Sequence, residues 1–249
     1  MNRTERVLVI GASSGIGRAV AECLLRGGAH VPPCRVALVA RRGEALTELS
    51  SQYPGRAPVF VHDVRDYASV PGLFQEIAHE LGGLDLVVYA SGVMPNVEEN
   101  EYTFGKDRET IEVNVLGAMA WLDEAARRFT QVRSGVIVGI SSIAGERGRR
   151  GNPAYASSKA ALTTYLESLR NRLGRYGVRV LTIKPGFVDT AMVAGKPGLV
   201  MMVSAERAAE LIVRAIRRGK QTAYIPARWR LVAGLLKLVP SWLFKHVPV

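Results

Sequence analysis

Val7-Leu8-Val9-Ile10-Gly11-Ala12-Ser13-Ser14-Gly15-Ile16-Gly17 is the stretch whose reading decides the fold. A short, uninterrupted apolar run breaks on a glycine, and after the third glycine the apolar residues recur as Ile16, Ala19, Val20, Cys23 and Leu24, the spacing of one helix face. This is a buried strand, a tight turn and a helix. Glycines let the turn approach a pyrophosphate closely, and the free N–H groups at the start of the helix favour its charge. The spacing is GxxxGxG rather than GxGxxG, so the turn on its own supports a phosphate cradle without naming its guest. Gly11, Ser13, Ser14, Gly15, Ile16 and Gly17 are the residues that would form it.

Outward from this unit the pattern repeats. Apolar runs at Arg35 to Ala40, Val59 to His62, Leu84 to Ala90, Gly135 to Ile140, Val178 to Lys184 and Thr222 to Ile225 alternate with helix-length segments. Strands without polar alternation are covered on both faces, so the expectation is an α/β protein: a three-layer, doubly wound parallel sheet of the Rossmann-like kind. The 249 residues carry no Pro/Ser-rich linker, which makes one domain, with residues 1–227 as its body and 228–249 as a basic amphipathic tail. Two cysteines, with no CxxC and no His cluster, support neither a disulfide scaffold nor a metal site. The apolar run near the N-terminus is too short for a signal peptide, and no stretch reaches the roughly 20 apolar residues of a spanning helix. A reducing, cytoplasmic setting is expected. With 33 Lys+Arg against 22 Asp+Glu the chain carries +11, which points to an anionic partner of some kind.

Chemistry-bearing residues stand at the strand ends. After the second strand comes Arg41-Arg42 instead of the acid that would hold a free ribose 2′-OH, and guanidinium groups suit a 2′-phosphate, so the expected cofactor is NADP(H). Asp63, with Val64 beside it, would suit an adenine amino group or cap a helix beginning near Tyr67. Tyr155 and Lys159 lie four apart, on one helix face, where an ammonium makes the phenol a usable acid near neutral pH. Ser141 and Ser142 end the fifth strand, and Asn114 is an amide on an otherwise apolar helix face.

Taken together, Gly11, Gly15, Gly17, Asp63, Asn114, Ser142, Tyr155, Lys159 and the Pro185-Gly186 turn with Thr190 resemble the classical short-chain dehydrogenase/reductase family over nearly the whole chain. The resemblance implies that Ser142, thirteen residues before Tyr155, holds a substrate carbonyl, that Tyr155 donates the proton, that Lys159 binds the nicotinamide ribose and tunes Tyr155, and that Asn114 positions a water in a proton relay. It also implies cofactor contacts from Gly92, Pro185, Gly186, Val188 and Thr190. The family's NNAG is here Tyr89-Ala90-Ser91-Gly92, a departure on the adenosine side, and Gly28 to Cys34 lengthens the connection before the second strand.

Two segments bear on the substrate. Arg147, Arg149 and Arg150 lie between Ser142 and Tyr155, which places three guanidinium groups at the mouth of the site. The tail interleaves Trp229, Leu231, Leu235, Leu238, Trp242 and Phe244 with Arg228, Arg230, Lys237 and Lys245, and reads as one or two amphipathic helices split at Pro240. Such a tail suits an anionic membrane surface, from the inner side, or packs on the domain or a dimer partner. Both segments resemble reductases of polyprenyl-phosphate-linked (decaprenylphosphoryl) 2-keto-pentoses. The expected function is NADPH-dependent reduction of a ketone, lipid-linked or long-chain and anionic. The alternatives are a 3-oxoacyl-carrier-protein reductase and an NADP-sensing regulatory protein. A homodimer or homotetramer is expected, and nucleic acid is not, because no basic helix or aromatic groove stands outside the tail.

Overall fold

The computed structural model describes residues 4–28, 32–195 and 200–246. Seven strands form one parallel sheet in the order β3-β2-β1-β4-β5-β6-β9. They are β1 (Arg6–Ile10), β2 (Arg35–Ala40), β3 (Val59–Val61), β4 (Leu86–Tyr89), β5 (Gly135–Ile140), β6 (Val178–Pro185) and β9 (Thr222–Ile225). Each is one of the apolar runs expected from the sequence, with ends displaced by at most two residues. The runs lack polar alternation because both faces are covered. In β1, Val7 and Val9 enter one core while Leu8 and Ile10 enter the other.

The first core is closed by α1 (Gly15–Arg26), α2 (Gly43–Ser51) and α7 (Ala205–Arg217), the second by α3 (Val70–Glu80), α5 (Gly117–Val132) and α6 (Pro153–Leu173). Between α3 and α5, α4 (Phe104–Ile111) runs on through a widened turn of π-helix at Glu112–Leu116. Two short strands, β7 (Val188–Asp189) and β8 (Val203–Ser204), pair outside the main sheet. They were not expected, since two residues are too few to show a period. β8 leads directly into α7, whose N-cap Ser204 accepts a hydrogen bond from the Arg207 N–H.

The tail forms α8 (Trp229–Leu238) and α9 (Ser241–Phe244), divided at Pro240 as the sequence suggests. Its inner face is anchored by Trp229 and Ala233, both buried. Gly186 makes this anchor possible, because a Cβ there would come within 2.0 Å of the Trp229 indole nitrogen. Trp229 also meets Phe187 edge to face, centroids 5.4 Å apart. The outer face keeps Leu231, Leu235, Leu238 and Trp242 exposed. Packing on the domain thus describes one side of the tail and an apolar surface the other. Residues 29–31 of the lengthened connection and 247–249 of the tail lie outside the described residues.

Candidate active site

The carboxyl ends of the strands open into a cavity of about 750 Å³. One end of it is shaped by the glycine turn. Gly11 has φ +94°, and a Cβ there would meet the Ser91 backbone nitrogen at 2.5 Å; a Cβ on Gly17 would stand 2.2 Å from the Gly11 carbonyl. The turn therefore admits only glycine at both positions. It brings Ser13, Ser14 and the start of α1 to the cavity wall, where the helix offers unpaired N–H groups. Across from it, Pro185, Gly186, Val188 and Thr190 line the same space, the Thr190 methyl facing Gly15.

Arg41 and Arg42 also stand at this end. The Arg42 guanidinium donates to Ser14 Oγ at 2.6 Å and Ser13 Oγ at 3.1 Å, so it already sits on the turn that would hold a phosphate. Val64 and Gly92 are on the wall, but Asp63 is not. Its carboxylate accepts from the Arg65 guanidinium at 2.6 Å and from the Arg65 backbone N–H, with Arg41 4.0 Å away. Those partners, the Arg65 hydrogen bond first, bring its pKa down to about 2 despite partial burial. Asp63 shapes the turn Asp63 to Arg65, and α3 begins only at Val70 rather than near Tyr67.

At the other end Ser142, Tyr155 and Lys159 converge. Ser142 follows β5 in extended conformation and its Oγ accepts from the Ala144 N–H, fixing the hydroxyl at the cavity edge. Its neighbour Ser141, also on the wall, donates its hydroxyl to the Lys159 carbonyl at 2.9 Å. Tyr155 stands in the first turn of α6, and Asn152 places it there. The Asn152 side chain accepts from the Tyr155 N–H at 2.9 Å and donates to the Pro95 carbonyl. Asn152 was missed from sequence, although Asn-Pro ahead of a helix is the signature of an N-cap followed by proline at the first helical position.

Lys159 is buried and donates to the Ile140 carbonyl at 3.0 Å; burial pushes its pKa down to about 8. Burial pushes the Tyr155 phenol up, and the hydrogen bond with Ser142 and the charge of Arg149 pull it back. Two cations thus stand by this side chain, Arg149 through its charge on the phenol and Lys159 with its Nζ 5.6 Å from the ring centroid. Asn114 stands behind the wall, wholly buried. Its Oδ1 accepts from the Val93 N–H, and its Nδ2 donates to the Val93 carbonyl and to Ser158 Oγ. Asn114 lies in the π-helical turn, and its two bonds to Val93 hold that residue beside Gly92.

The three arginines expected at the mouth divide. Arg147 donates to the carbonyls of Leu236 and Val239 and lies 4.0 Å over the Phe244 ring. Arg150 donates to the Lys245 carbonyl and pairs with Glu99. Unpaired carbonyls at the end of a helix attract such donors, so the tail takes both. Only Arg149 remains on the cavity wall. Beneath this clasp Glu146, almost fully buried, accepts from Lys184 at 2.7 Å and from the Tyr224 hydroxyl at 2.7 Å, and pairs with Lys237 of α8. Burial raises its pKa, but the three donors outweigh it and hold the carboxyl below its ordinary range.

Over residues 5–197 the chain matches the family described as short chain dehydrogenase. It is similar to an uncharacterized oxidoreductase of Mycobacterium tuberculosis, 33% identical over 241 residues that cover 94% of this chain and 92% of the relative. It is similar also to one of Myxococcus xanthus, 36% identical over 242 residues covering 95% and 93%. Among solved structures, a short-chain dehydrogenase from Streptomyces avermitilis shares the fold with a TM-score of 0.82 at 25% identity, over 96% of each chain.

Proposed function

From the premise that the chain belongs to the short-chain dehydrogenase family and is an oxidoreductase, we propose that it is an NADPH-dependent ketoreductase, turning a carbonyl into a secondary alcohol. The observation that carries this is the convergence of Ser142, Tyr155 and Lys159 at one end of a cavity whose other end is a glycine cradle flanked by Arg41 and Arg42. The residues fit the cofactor: the cradle admits no side chain where a pyrophosphate would approach, and two guanidinium groups stand where a 2′-phosphate would lie. Bound NADPH supplies the hydride. The Ser142 hydroxyl donates to the carbonyl oxygen, Tyr155 gives its proton as charge develops there, and the Lys159 ammonium stabilises the phenolate left behind.

For substrate the reading is a long-chain or lipid-linked anionic ketone, of which a polyprenyl-phosphate keto-pentose is the kind favoured by the likeness of the loop and tail. The exposed Leu231, Leu235, Leu238 and Trp242, with Arg230 and Lys245 beside them, support rest on the anionic inner surface of a membrane. No helix among the described residues is long and apolar enough to cross one. Thermal unfolding with NADPH and NADH, followed by NADPH-oxidation rates on lipid-linked and carrier-linked ketones, tests the reading. Turnover of carrier-linked 3-oxoacyl chains alone makes it a carrier-protein reductase. Protection by NADPH with no turnover of any ketone makes it a regulatory protein.

A further inference from the structure

Among the described residues the cavity lining holds four charged side chains, Arg41, Arg42, Arg149 and Lys159, and no carboxylate. Three of the four have evident duties. Arg41 and Arg42 flank the glycine cradle, and Lys159 is fixed on Ile140 at the catalytic tyrosine. Arg149 is different. It makes no hydrogen bond or ion pair with any described residue, whereas its loop neighbours Arg147 and Arg150 are both taken by the tail. It is half-buried, and its nearest charge relation is to the phenol of Tyr155.

The same cavity wall carries the large apolar side chains Met94, Phe187 and Met192. A guanidinium drawn partly out of water without a partner is costly, and its planar fork matches the paired oxygens of a carboxylate or phosphate. We infer that Arg149 determines specificity by receiving an anionic oxygen group carried by the ketone itself, a few atoms from the carbonyl that Tyr155 protonates, while the rest of the substrate lies along Met94, Phe187 and Met192. The inference rests on the ketoreductase reading and deepens it: the anion is read beside the reacting carbon, not at the tail.

The test compares NADPH-dependent rates of the full chain on matched pairs, 3-oxooctanoate against its methyl ester and 2-oxooctyl phosphate against 2-octanone. The wild type should favour the anion of at least one pair, and that pair names the group as carboxylate or phosphate. R149Q should lower kcat/KM for the anion roughly 10- to 100-fold more than for its neutral partner, the range of a lost charge-assisted pair, with R149K between. Equal losses on both members, or no preference for either anion in the wild type, overturn the inference. So does a weaker grip on NADPH with the anion-to-neutral ratio unmoved, which would assign Arg149 to the cofactor. If no ketone is turned over, the ketoreductase reading fails separately. Arg149 is then judged by thermal protection of the NADPH-loaded protein: octanoate or octyl phosphate should protect more than octanol in the wild type and not in R149Q, and equal protection refutes it.

Discussion

The two ends of the cavity are built by different means. At the cofactor end the constraint lies in the backbone: Gly11 and Gly17 are required because nothing larger than hydrogen fits against Ser91 and the Gly11 carbonyl. Beside the other end, behind the wall, it lies in side chains far apart in the sequence, Glu146 with Lys184, Tyr224 and Lys237, and Arg147 with the Leu236 carbonyl of α8. A cradle made of local turns can be read from a short stretch of sequence, while a clasp made of long-range ion pairs depends on the whole fold. Ser142, Tyr155 and Lys159 stand at the end opposite the cradle, so the two kinds of constraint meet across one cavity.

The contrast breaks most visibly at Glu146. Glu146→Ala leaves Lys184 buried without its carboxylate, and losing one partner of a buried pair costs about 3–5 kcal/mol. The melting temperature should fall by roughly 10 °C at this chain length, with NADPH still protecting the variant; a fall of only a degree or two would mean that the clasp does not hold the substrate end. Next in size is Tyr155→Phe, expected to reduce kcat at least about 10²-fold while the NADPH dissociation constant stays put. Cofactor affinity falling in step with turnover would show that the two ends are not separable. Arg41→Asp should act on the opposite end only, weakening NADPH about 10- to 100-fold and sparing NADH. Equal affinities of the native protein for both cofactors would refute the 2′-phosphate assignment.

The smallest effect concerns Lys159, where the two ends meet. Its folded pKa near 8 lies below that of an unfolded lysine, so between the two values the unfolded chain binds more protons and stability rises with pH. Relative to Lys159→Met, the wild type should gain up to about 1 kcal/mol per pH unit between pH 8 and 10. Parallel stability curves for the two proteins would show that the ammonium is solvated as an ordinary lysine is.

Legibility in the sequence follows the same division. The seven main strands could be placed because burial on both faces leaves a continuous apolar run, and Tyr155 with Lys159 because a helix fixes what lies four residues on. The widened turn at Asn114 could not, since one extra residue in Val113-Asn114-Val115 leaves no trace in an apolar pattern. Nor could the parting of Arg147 and Arg150 from Arg149. All three share one short basic segment, and only the position of α8 in space decides which of them meet helix-end carbonyls. Asp63 shows a subtler limit: its place after β3 was clear, but a neighbour two residues away, Arg65, competes for the same carboxylate.

Trp229 carries one more consequence. Its indole is pressed into the space left by the absent side chain of Gly186, and Gly186 is itself part of the cavity wall. Tryptophan emission overlaps the absorption of a reduced nicotinamide, so Trp229 would act as an optical gauge, dimming if reduced cofactor binds on the far side of that glycine. Trp121, sealed in the second core, and Trp242, exposed on α9, would contribute to the same signal, and a Trp229→Phe variant would separate the part that comes from Trp229. Occupancy of the site could then be followed in unlabelled protein by light alone.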